Sequence, residues 1–233
     1  MRARMLEARF RETSKSVLLL GPRQVGKTTL CRALNPDFIV NLADEASFVS
    51  YSKDPGRLGR EVSALAKPSL VLVDEVQRVP ALLNSAQAIL DGNRGHRFLL
   101  TGSSSRKLKR GGANLLPGRI IMAHLDPLSF WELGKDFDLE RCLMLGSLPA
   151  VYLDSREGAD VLETYATVYL REEVRAEALA RDIGAYARFL DAVAAASGQW
   201  IKGGMHLAPL NGNVVGLWVV REPVARSGII RGT

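Results

Sequence analysis

Residues 21–29, Gly-Pro-Arg-Gln-Val-Gly-Lys-Thr-Thr, constrain the fold more than any other stretch of this 233-residue chain. They satisfy the phosphate-loop pattern G-x-x-x-x-G-K-[ST] at Gly21, Gly26, Lys27 and Thr28. A loop that wraps a triphosphate must aim several backbone N–H groups inward, which requires glycine where a side chain would block the approach. The whole run of Gly21, Pro22, Arg23, Gln24, Val25, Gly26, Lys27, Thr28 and Thr29 is therefore the expected phosphate cradle. Within it, Lys27 supplies a point charge for the β- and γ-phosphates, and the Thr28 hydroxyl is a ligand for Mg²⁺. Ser16–Leu20 before the loop reads as a short buried strand, and residues 28–34 after it as a helix. The competing reading is a glycine-rich strand–helix turn with a chance lysine.

Further along, apolar strands alternate with helical patterns. Strands are expected at 38–42, 69–73, 96–101 and 119–125, and helices at 44–52, 55–66 and 81–90. This alternation predicts an α/β fold with a mainly parallel sheet and helices on both faces. Beyond Pro127 the pattern becomes helical, at 128–133, 139–145, 156–180 and 183–197. The expected organisation is a nucleotide-binding domain over 1–127, a small helical lobe over 128–198 and an atypical tail over 199–233. The N-terminal ten residues, charged every few positions, read as a short surface helix.

The third strand runs into Asp74-Glu75. Two carboxylates at a strand end have separate uses: Asp74 to hold Mg²⁺ directly or through water, Glu75 to polarise an attacking water. An acidic helix start is the simpler alternative. Leu99-Leu100-Thr101-Gly102-Ser103-Ser104 ends the next strand in small hydroxyl residues, so Thr101 or Ser103 is a candidate γ-phosphate sensor, against a helix N-cap at 103–105. Arg119, opening the fifth strand, is a candidate arginine finger acting in cis or from a neighbouring subunit, against a solvated surface arginine. Arg23 occupies a variable position of the loop and is only weakly informative.

Taken together, Gly-Pro-Arg-Gln-Val-Gly-Lys-Thr-Thr, Leu-Val-Asp-Glu-Val-Gln-Arg-Val-Pro and Leu-Thr-Gly-Ser-Ser-Ser resemble the AAA-type ATPases found as stand-alone prokaryotic proteins with a C-terminal domain of uncharacterised function. Leu116-Pro117-Gly118-Arg119, 125–133, 146–149 and 169–174 continue the resemblance, which covers residues 1–198. It implies a P-loop NTPase fold of the AAA, additional-strand (ASCE) kind, with ATP and Mg²⁺ as ligands. Lys27, Thr28, Asp74 and Glu75 take the roles given above, with Ser103 as sensor and Arg119 as finger. ATP hydrolysis coupled to conformational change is the implied activity and a homo-oligomer an implied assembly, with the protein partner unnamed.

The tail departs from the family pattern. Residues 199–233 hold 6 of the 21 glycines and one acidic residue, and are expected to be sequence from a shifted reading frame, against a disordered or a genuine but divergent tail, with the family's C-terminal domain missing. They also carry four basic residues, half of the net charge of +6, so the body of the chain is nearly balanced. Nucleic-acid binding through Lys107, Lys109 and Arg110 is accordingly a weak reading, lacking aromatic interleaving and a recognition helix. No apolar run approaches a membrane span, and two distant cysteines with three scattered histidines predict a cytoplasmic protein without disulfide or structural zinc. A nucleotide-gated interaction protein with little turnover is the alternative to an ATPase. A small-molecule kinase fits less well, since a strand and helices separate the loop from Asp74-Glu75. No Asn-Lys-x-Asp sequence supports GTP.

Overall fold

The computed structural model describes residues 2–66, 68–92, 94–103, 108, 118–154, 157–169 and 183–195. Among these residues five strands form one sheet: β1 (Ser16–Leu20), β2 (Phe38–Asn41), β3 (Leu70–Asp74), β4 (Arg97–Gly102) and β5 (Ile120–His124), in the order β2-β3-β4-β1-β5. Every neighbouring pair is parallel, as the alternation of strands and helices predicts.

The strands read as near-continuous apolar runs because both faces are covered. Successive side chains point to opposite faces, so each strand feeds two cores. Leu18, Leu20, Val71, Val73, Phe98 and Leu100 pack on one face. There they meet α3 (Glu45–Lys53), α4 (Arg57–Ser63) and α5 (Ala81–Asp91) through Tyr51, Leu58, Val62, Leu82 and Leu83. On the other face Val17, Leu19, Leu72 and Leu99 pack with Phe10 of α1 (Met5–Glu12) and with Leu30 and Cys31 of α2 (Lys27–Ala33). Helix α1 is thus more than a surface helix: its charges face water, while Phe10 is buried and Leu6 packs beside it.

By density of contact the chain divides between Ala159 and Asp160, so the short helices after Pro127 group with the sheet. The first of them, Phe130–Leu133, starts at 130 because Ser129 caps it: the serine hydroxyl accepts from Glu132 N–H while Glu132 reaches back to Ser129 N–H. Leu128, Leu133 and Tyr152 form a small core of their own. Helix Gly158–Thr164 passes into a π-helical turn at Tyr165–Tyr169 instead of running on as regular α-helix. The Thr167 hydroxyl donates to the Glu163 carbonyl at 2.8 Å, a back-bond that favours such distortion. Helix Ile183–Ala195 belongs to the second unit, where the Tyr186 and Phe189 rings lie 6.3 Å apart. The expected basic loop residues Lys107, Lys109 and Arg110, the charged stretch Arg171-Glu172-Glu173 and the tail lie outside the described residues.

Candidate functional site at the carboxyl ends of the strands

In a parallel sheet the carboxyl ends of all strands share one edge, and here β1, β4 and β3 end side by side in that order. The loop leaving β1 turns at once. Gly21 has φ +151°, and a Cβ there would lie 2.2 Å from the Leu125 carbonyl oxygen, so only glycine fits against the β5 exit. Gln24 at φ +61° and Gly26 at φ +92° complete the reversal into α2, a sequence of left-handed and right-handed residues that turns backbone N–H groups inward. Val25 is buried under the loop, while Gln24 and Thr29 face solvent and Pro22 and Arg23 are partly covered.

Lys27 is buried, and its ammonium donates to the carbonyls of Gly21 at 2.8 Å and Pro22 at 2.6 Å. The Thr28 hydroxyl crosses the end of β4 to reach both Asp74 carboxylate oxygens, 2.9 Å from each. Asp74 is itself buried, and Thr101 at the end of β4 donates to it from the side. The same Thr101 oxygen accepts from the Glu75 N–H at 2.9 Å. Of the two hydroxyl candidates, Thr101 therefore makes the contacts with Asp74 and Glu75, and Ser103 lies two residues further on, just past the strand. Glu75 is left-handed, at φ 59° and ψ 43°, and its carboxylate accepts from the Gln77 side-chain amide. Cys31 packs behind the loop, where burial first, and then the nearby Asp74 charge, push its thiol up to about 12 against the opposing pull of Lys27. It is a packed, un-ionised group rather than a nucleophile.

Arg119 is not brought to this edge. It precedes Ile120, which pairs with Ser16 at the amino end of β1, so about 16 Å of strand separates it from the loop. Its guanidinium pairs instead with Asp91 at the end of α5. The structure thus places its guanidinium at the edge of the sheet opposite the loop.

A group that the sequence did not flag supports the loop from behind. Arg4 donates through Nη1 to the Val25 carbonyl at 2.6 Å and through Nη2 to the Asp126 carbonyl at 2.7 Å. Its Nε donates to Glu132 at 2.9 Å, and the two side chains are only 8% and 7% exposed. Burial pushes the Glu132 carboxyl up, but hydrogen bonds from Arg4, Ser129 and Met5, with the Arg4 charge, hold it below its ordinary value. Nothing in the sequence pointed from Glu132 to Arg4.

A family model described as an AAA domain matches residues 13–134, more than half of the chain. The chain belongs to the AAA domain family. The sheet order and the loop of this AAA domain are those of a P-loop NTPase. Two uncharacterized proteins, Mb2031c of Mycobacterium bovis and Rv2008c of Mycobacterium tuberculosis, are each 31% identical to it over 163 residues, which is 68% of this chain and 36% of theirs. The chain thus spans about a third of the length of these curated relatives. Among solved structures, AMPPCP-bound DnaA from Aquifex aeolicus matches at 13% identity and a TM-score of 0.44, covering 95% of this chain and 87% of that one. C. elegans PCH-2 matches at 18% identity and a TM-score of 0.40, over 69% and 44%. No helix among the described residues is long and apolar enough to cross a membrane.

Proposed function

We propose that this AAA domain binds Mg²⁺·ATP at the carboxyl edge of its sheet and hydrolyses it, using the cycle to drive conformational change. The observation that carries the reading is the Thr28–Asp74 contact, 2.9 Å to each carboxylate oxygen, with Glu75 next in sequence and held at the same edge. The donors suit the ion. A threonine hydroxyl and one carboxylate are hard oxygen ligands, and Mg²⁺ characteristically takes one or two such protein groups and completes its shell with phosphate oxygens and water. When bound, Mg²⁺ would neutralise charge on the β- and γ-phosphates.

The roles of the protein groups follow. Lys27 leaves the Gly21 and Pro22 carbonyls and places its charge against the β- and γ-phosphates. The backbone N–H groups of residues 21–28 bind the phosphate oxygens. Glu75 takes a proton from water as that oxygen bonds to the γ-phosphorus and the bond to the ADP oxygen breaks. Thr101 holds Asp74 and the Glu75 backbone in register, leaving Ser103 as the hydroxyl beyond the strand that is proposed to sense the γ-phosphate. Arg119 supplies charge to the site of a neighbouring subunit, since it cannot reach its own.

A Glu75→Gln variant keeps the shape of the site and removes the base. It should bind Mg²⁺·ATP with unchanged affinity by calorimetry and release phosphate about 100-fold more slowly. Unchanged phosphate release would sink hydrolysis by Glu75. Tight ATP binding with no turnover even in the wild type would leave a nucleotide-gated interaction protein.

A further inference from the structure

With Glu75 as the base in ATP hydrolysis, on which this rests, we propose that Gln77 is the positioning residue that sets the Glu75 carboxylate. The backbone of Glu75 is pinned: its N–H donates to Thr101 and its left-handed conformation opens the short 3-10 turn Val76–Arg78. That fixes the Cα but leaves three side-chain torsions, so a carboxylate held only by its backbone would sample several rotamers. The reversal at Glu75 has a second effect. Residues two apart on a regular helix face different ways, yet here the chain folds back so that the Gln77 amide nitrogen donates to the Glu75 carboxylate. It is the only side-chain donor recorded on that carboxylate among the described residues.

Packing alone does not account for a glutamine at this place. Its other amide atom, Oε1, is buried and has no hydrogen-bond partner. A buried carbonyl left unpaired is unfavourable, and an apolar side chain of the same length would avoid it. The orientation is held nonetheless, because aiming Nε2 at Glu75 turns Oε1 towards the end of β4. The residue there is Gly102, where a Cβ would lie 2.9 Å from Oε1 and 3.4 Å from a Leu20 methyl. Gly102 is thus the space that lets the amide lie as it does. A strained base, an amide aimed at it and a glycine making room for the amide form one device, built from the turn after β3 and the end of β4. A carboxylate in place of the amide would repel Glu75, and a hydroxyl would be too short to reach it.

Gln77→Met keeps length and volume and removes the donor. In the full chain, steady-state phosphate release should show kcat reduced about tenfold to 100-fold, with Mg²⁺·ATP affinity within about twofold and the thermal midpoint unchanged or raised. Gly102→Ala provides an independent route to the same carboxylate. It should lower kcat about tenfold in the wild-type background and less than about twofold in Gln77→Ala, where no long amide remains to be displaced. Wild-type kcat in Gln77→Met, or an equal loss from Gly102→Ala in both backgrounds, would overturn the assignment of Gln77 while leaving hydrolysis by Glu75 intact. If Gln77→Met fails to fold, the two Gly102→Ala backgrounds decide alone. Turnover that survives Glu75→Gln would instead remove the hydrolytic reading, and this assignment with it.

Discussion

A methyl group on Gly21 would meet the Leu125 carbonyl oxygen at 2.2 Å, while one on Gly26 would find only an Arg4 nitrogen, 3.7 Å away. The two glycines of the motif therefore have different reasons to be glycine. At Gly21 the obstacle is backbone that cannot swing aside; at Gly26 it is the positive φ of +92° alone. Gly21→Ala is expected to destabilise the domain by about 3 kcal/mol or more, and Gly26→Ala by about 1–2 kcal/mol, measured by urea unfolding. Equal losses would contradict this division. Lys27→Ala should weaken Mg²⁺·ATP binding at least about tenfold in calorimetry, since it removes the charge placed for the phosphates. At this scale much was legible, because residues 21–29 form one unbroken run and Asp74-Glu75 another, each at the end of an apolar strand. Gln77 was not, although it lies two residues from Glu75. Its role depends on the left-handed φ of Glu75, which no residue type announces outside glycine and asparagine.

Between elements, the contact of most consequence joins α1, the phosphate loop and the helix Phe130–Leu133 through Arg4 and Glu132, which are 128 residues apart. Removing either partner leaves a buried charge without its counter-charge, so Arg4→Ala and Glu132→Ala should each cost about 3 kcal/mol. Arg4→Ala should in addition weaken nucleotide binding, because Arg4 also holds the Val25 carbonyl within the loop. The pair also sets a pH dependence. The Glu132 carboxyl is held below its ordinary value, so its ionised form contributes stability that is fully present above about pH 4.3 and is lost as pH falls through its lower folded value. Unfolding midpoints followed from pH 7 to pH 3 should drop in that window, and less steeply in Glu132→Gln. The strands were legible as apolar runs because helices cover both faces of the sheet; α1 was legible as a helix, but its buried side was not. One buried aromatic, Phe10, and one internal cation, Arg4, do not make an amphipathic stripe among so many exposed charges.

For the molecule as a whole, the direction of the sheet separates two chemistries. The phosphate loop, Asp74, Thr101 and Glu75 gather at the carboxyl edge, and Arg119 stands at the amino edge beside Asp91. Parallel strands make this separation unavoidable, and sequence order alone hid it, since Arg119 and Ser103 lie close along the chain but leave the sheet at opposite ends. If Arg119 serves a neighbour's site, ATPase activity per chain should rise with protein concentration, and Arg119→Ala should abolish the rise while leaving ATP affinity unchanged. A rate independent of concentration would remove the shared site. Hydrolysis at the carboxyl edge rests on Glu75 activating water next to the Thr28–Asp74 pair. A single-turnover measurement tests it most directly, with protein in excess over ATP and Mg²⁺ saturating, so that product release does not limit the signal. Wild type should convert bound ATP to ADP and phosphate in one phase, and Glu75→Gln should bind the same ATP and convert it at least about 100-fold more slowly. Equal conversion rates in the two proteins, with ATP bound in both, would contradict it.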